Sequence, residues 1–130
     1  MTRLSDGLPG SWRLISRIDT GPDGERRPEP VLGEDPVALL IYDRSGHFSA
    51  QFMRRDRTGA AGFDAYFGTY EVDDATGTVT QSLAGALNPA LVGAVLTRTM
   101  NLEGDSLTIR LDTVVGGTAV VRTLTWVRVG

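Results

Sequence analysis

The chain has 130 residues, no cysteine and a formal net charge of −3. A length this modest without an internal repeat bounds it to one domain over residues 1–130. Its basic residues are scattered rather than striped, which argues against nucleic acid as a partner. The missing cysteines exclude disulfides, thiolate catalysis and sulfur-rich metal sites. The opening MTRLSDGLPG has no apolar h-region and no later apolar run approaches the ~20 residues that span a bilayer, so a cytoplasmic protein without membrane insertion is expected.

Apolar residues recur at every second position in short runs divided by Gly, Asp, Asn and Pro, the pattern of an all-β chain. The first run, Trp12 to Ile18, predicts a half-buried strand with Trp12, Leu14, Ser16 and Ile18 on one face and Arg13 and Arg17 on the other. Asp19 to Pro36 is rich in Pro, Gly and charge with no period, and is expected to cross one mouth of the fold as a long loop. Val37 to Tyr42 and His47 to Met53 read as a hairpin through Asp43-Arg44-Ser45-Gly46, with glycine where positive φ is wanted. Arg54 to Asp64 is a charged, Gly-rich loop, after which Tyr66 to Asp73 and Thr78 to Leu83 form a second hairpin. Asn88-Pro89 suits one helical turn. Ala94 to Leu102, Ser106 to Asp112 and Thr118 to Val129 complete about eight strands. At that number an antiparallel up-and-down sheet closes into a single β-barrel with room for side chains or one small ligand and with short helical turns in its connections.

Gly10-Ser11-Trp12 at the head of the first strand matches the Gly-x-Trp opening of lipocalins. GEDPVALLIYDRSGHFSAQFMRRDR at Gly33 to Arg57, YFGTYEVDDATGTVTQSL at Tyr66 to Leu83 and the terminal LTWVRV together resemble the small bacterial lipocalin-like domain family over nearly the whole chain. The resemblance implies an eight-stranded barrel around a central cavity and is silent on reaction and ligand.

Within such a barrel, Arg98 shares parity with Leu96, Met100 and Leu102, which points its guanidinium inward, where it needs a carboxylate, tyrosine, amide or anionic ligand group. A structural clamp or a strand-end arginine reaching solvent is the competing reading. His47 is the only histidine and shares a face with Ser49, Gln51 and Met53, opposite Phe48, Ala50 and Phe52; hydrophobicity alone turns the Phe face inward, whereas a polar-lined pocket turns His47 and Gln51 inward. Tyr70 offers apolar area and one hydroxyl, Gln81 shares a face with Val79 and Leu83, and Tyr42 closes the second run. Trp12 and Trp126 read as packing at the closed end, and the last strand has two competing faces, Arg122/Leu124/Trp126/Arg128 against Val121/Thr123/Thr125/Val127. The ligand-binding set expected is therefore Tyr42, His47, Gln51, Tyr70, Gln81, Arg98 and Met100. No metal site and no cofactor are expected: one histidine without H-E-x-x-H spacing falls short of zinc, and the glycines sit at turns rather than in a phosphate loop.

Three functions remain open. The first is binding of a small, largely apolar or amphipathic molecule, with an anionic or carbonyl group near Arg98. The second is a cofactor-independent cyclase or isomerase of secondary metabolism acting on a polyketide-like or terpenoid substrate, with Tyr70, Arg98 and His47 as its catalytic groups. The third is a protein-interaction barrel whose core is filled by Trp12, Phe48, Phe52 and Leu40.

Overall fold

A computed structural model describes residues 2–130. Nine strands form one sheet: β1 (Gly10–Thr20), β2 (Arg26–Pro28), β3 (Val37–Tyr42), β4 (His47–Met53), β5 (Phe63–Asp73), β6 (Thr78–Ala86), β7 (Val95–Glu103), β8 (Ser106–Val115) and β9 (Thr118–Arg128). All pairs are antiparallel, and β1 hydrogen-bonds β3 through its first half and β9 along its length, so β1 and β3–β9 close an eight-stranded up-and-down barrel. The expected architecture holds.

The long loop after β1 carries structure that its composition does not announce. β1 runs to Thr20, and the three-residue β2 folds back onto Ile18–Thr20 before the chain turns through Glu29–Gly33 at the mouth. The expected helical turn is a 3-10 turn at Pro89–Leu91, where the Asn88 side chain accepts from Ala90 N. A four-residue α-helix, α1 (Leu4–Gly7), lies at the opposite end. Among the described residues no helix is long and apolar enough to cross a membrane.

Alternation decides most side-chain directions. Ala38, Leu40 and Tyr42 on β3 and Phe48, Ala50 and Phe52 on β4 are buried, because each fully buried large apolar side chain contributes about 1.5–3 kcal/mol. The same parity turns His47 and Gln51 outward, correcting the expectation that they face a ligand: two phenylalanines on the opposite face outweigh any gain from a polar lining.

β1 breaks the alternation. Its register with β9 shifts between Leu14 and Ser16, with Leu14 opposite Trp126 and Ser16 opposite Thr125, so Ile15 is an extra residue in a β-bulge. Beyond the bulge the parity inverts, and Arg17 and Asp19, not Ile18, become the buried side chains. A second irregularity, between Phe67 and Gly68 on β5, sets Gly68 against the backbone of β6, where a Cβ would fall 1.9 Å from the Ser82 carbonyl oxygen. Gly46 takes φ +92° in the β3–β4 turn, as its position demands.

One end is sealed by α1 and Trp12. The indole is fully buried and donates from Nε1 to the Leu8 carbonyl at 3.0 Å. The Arg128 guanidinium lies 4.3 Å above its ring and donates to the carbonyls of Pro9 and Gly7. Trp126 does not join this plug: it sits on the barrel wall, edge-on to Phe52 at 5.8 Å, and lines the interior.

Candidate ligand-binding cavity

Above the plug the barrel encloses a cavity of about 200 Å³. Its apolar wall is made by Leu40, Phe52, Leu96, Ile109, Leu124 and Trp126, and its polar wall by Tyr42, Tyr66, Gln81 and Arg98. Asp64, Leu91 and Thr113 stand where the loops of the open end meet it.

The strand pairings bring these groups together. Gln81 lies opposite Tyr70 on β5 and Leu96 on β7, and its Nε2 donates to the Tyr42 hydroxyl at 2.7 Å, a bond spanning 39 residues. Its Oε1 is buried with no partner in the protein, as is Trp126 Nε1. Burial pushes the Tyr42 phenol above its ordinary range. Burial likewise raises Tyr66, with the Arg98 cation pulling it partly back. Both phenols therefore stay neutral and serve as hydrogen-bonding groups rather than as bases.

Four arginines belong to inward faces, and three have carboxylates. Arg17 Nη1 meets Glu29 Oε2 at 2.6 Å, Arg122 makes two bonds of 2.8 and 3.1 Å to Asp19, and Arg128 reaches Asp105 at 3.3 Å. Arg17 is desolvated enough that burial is the main cause of its lowered pKa, followed by its neighbour Arg122, with Glu29 opposing both. Arg98 differs. Among the described residues no carboxylate lies within ion-pair distance of it, and its guanidinium makes a long 3.4 Å bond to the adjacent Thr97 carbonyl.

Of the expected ligand-binding set, Tyr42, Gln81 and Arg98 line the cavity. Tyr70 points inward but toward the closed end; its ring packs edge-on to Tyr42 at 4.8 Å and its hydroxyl donates to the Asp43 carbonyl at 2.6 Å, which ties down the β3–β4 turn. Met100 is buried in the packed core beside Leu4 and Leu102, away from the cavity. His47 sits on the outer surface, its amide donating to Asp43 Oδ1 at 2.9 Å and its Nδ1 2.8 Å from Ser45 Oγ. Gln51 is exposed on the outer face of β4. These four are corrections to the sequence expectation, and they dissolve the Tyr70–Arg98–His47 catalytic grouping.

Four polar groups of the site escaped sequence reasoning. Tyr66 shares parity with Gly68 and Tyr70, and Arg122 with Leu124 and Trp126, so both signals were present in the alternation. Arg17 and Asp19 gave none, because a bulge reverses their direction. Among the described residues no three His, Cys, Asp or Glu side chains gather as a metal centre.

Among solved structures, a redesigned β-barrel is similar over 100% of this chain and 98% of its own at 14% identity and a TM-score of 0.50, which bears on the fold alone. No curated protein matches the sequence. The profile of a family described as lipocalin-like domain matches residues 9–64 and 60–129, nearly the whole of the barrel. This chain therefore belongs to the lipocalin-like domain family.

Proposed function

We propose that the barrel binds a small, largely apolar molecule in its interior. The observation that carries this reading is the cavity of about 200 Å³, walled by aliphatic and aromatic side chains with a few convergent polar groups. A lipocalin-like barrel is consistent with ligand binding. The filled-core alternative required Leu40 and Phe52 to occupy the space that they instead border. The cyclase or isomerase alternative retains Arg98 alone of its three catalytic groups, because Tyr70 serves the β3–β4 turn and His47 is outside.

Isothermal titration with octan-1-ol tests the reading. One molecule per barrel is expected, and Leu96→Trp, which fills the cavity from its wall, removes the binding while leaving the far-ultraviolet circular dichroism unchanged. Failure of the unmodified protein to take up octan-1-ol, together with an empty barrel in native mass spectrometry of protein from its own host, would overturn it.

A further inference from the structure

We infer that the ligand is an anion, a small amphipathic carboxylate whose head group is held by Arg98 while its apolar body lies against Leu96, Ile109 and Leu124. This rests on the interior-binding reading above and adds the charge of the molecule.

Arg98 stands apart from the other arginines on the inward faces of the barrel. Arg17, Arg122 and Arg128 also stand on inward faces of this barrel, and each is matched by a carboxylate of the chain, at 2.6, 2.8 and 3.3 Å respectively. A guanidinium removed from bulk water without a counter-charge costs several kcal/mol, which is why such groups are paired. Arg98 lines the same cavity with no such partner. Asp64 also borders the space, but it stays beyond ion-pair distance of Arg98 and acts on Tyr66 in the opposite sense, raising its pKa where Arg98 lowers it.

The neighbours of Arg98 suit an oxyanion. Tyr66 is held neutral by burial, so its hydroxyl can donate to one carboxylate oxygen while the guanidinium fork takes the other or both. The Tyr42 hydroxyl accepts from Gln81, which leaves its own proton free to donate. The two phenol hydroxyls and the guanidinium are donors that the acceptor-only character of an ionised carboxylate complements, against one unpartnered acceptor of the lining, Gln81 Oε1. The remaining wall is aliphatic, and the cavity lies below the ~300–1,000 Å³ of drug-sized pockets, which favours a short acyl or comparably small body.

The test compares two probes of equal chain length, octanoate and octan-1-ol, by isothermal titration near neutral pH. The unmodified protein is expected to bind octanoate about tenfold or more tightly than octan-1-ol. Arg98→Leu is expected to remove that preference while retaining octan-1-ol, and Arg98→Lys, which keeps the charge but not the fork, to fall between them. Octanoate labelled with ¹³C at the carboxyl gives a readout independent of folding. Its bound carboxyl should titrate below the free acid in the unmodified protein and above it in Arg98→Leu. Equal affinity for the two probes, or a preference that survives Arg98→Leu, overturns the anionic ligand and leaves the apolar-binding reading standing. Uptake of neither probe overturns both.

Discussion

Arg17 and Glu29, twelve residues apart, meet at 2.6 Å with both side chains nearly shut off from solvent. Glu29 Oε2 also accepts the Leu32 amide at 2.7 Å and Oε1 the Val31 amide at 2.9 Å, so one carboxylate ties the loop at the barrel mouth to the strand below it. Leu32 is thereby seated in the core, and the Arg17 guanidinium lies 5.5 Å from the Phe52 ring. The loop is fastened from within the barrel.

Glu29→Ala should consequently be among the most damaging single changes in the loop. It leaves Arg17 buried beside Arg122 without its carboxylate and orphans two amides, which places the loss at about 3–5 kcal/mol. Urea unfolding measures it. Replacing both partners, as Arg17→Met with Glu29→Leu, should recover a large part of the loss, and a double variant as unstable as Glu29→Ala would show that the damage came from the amides instead.

Alkaline titration should show almost no free tyrosine. All three tyrosines have pKa values raised, with burial the first cause in each. Because the folded values lie above the unfolded value of about 10, this contribution to stability is complete below pH 10 and is lost as pH rises through the folded values. Tyrosinate absorbance should therefore appear as one cooperative step coinciding with loss of near-ultraviolet circular dichroism. A gradual ionisation centred near pH 10 in the folded protein is the contrary result.

The attachment of α1 should respond to acid. Asp74, in the β5–β6 turn, accepts from the Ser5 amide at 2.9 Å and from its hydroxyl at 2.5 Å, and these bonds hold its carboxyl below the ordinary 3.8. A depressed folded pKa means that the anchoring is present above the unfolded value and disappears as pH falls through the folded one. Protection of the Ser5 amide, the intrinsic exchange rate over the observed one at the same pH, should be high near neutral pH, fall on acidification, and already be low near neutral pH in Asp74→Ala. Equal protection in the two proteins near neutral pH would remove this anchor.

Gly68→Ala should destabilise the barrel by at least the ~1–3 kcal/mol of ordinary overpacking, because the new methyl meets backbone rather than a yielding side chain. Gly59→Ala, where nothing lies within 4 Å, is the control and should change stability little. Comparable thermal midpoints for the two variants would mean that β5 and β6 can separate at the irregularity without loss.

Much of the architecture was legible from local pattern. The hairpin from Val37 to Met53 is bounded as its alternation and its Asp-Arg-Ser-Gly connection indicate, and Asn88-Pro89 opens a helical turn. The site was legible where a strand keeps its parity: Leu96, Arg98 and Met100 do share the inward face of β7, and Gln81 faces in with Val79 and Leu83. Depth along the barrel was not legible, since parity cannot say that Arg98 reaches the cavity while Met100 packs into the core near α1.

The sequence by itself determined that the chain is predominantly β, that eight strands make the barrel and where most of them turn, because the two-residue period and the conformational demands of tight turns are properties of adjacent residues. Only the tertiary structure decided which charges stand inside and which of them are matched. The bulge at Ile15 turns Arg17 and Asp19 inward through the register of β1 on β9, and Arg98 is left without a carboxylate by distances across the barrel. Both follow from pairings between strands far apart in the chain, which no local period encodes.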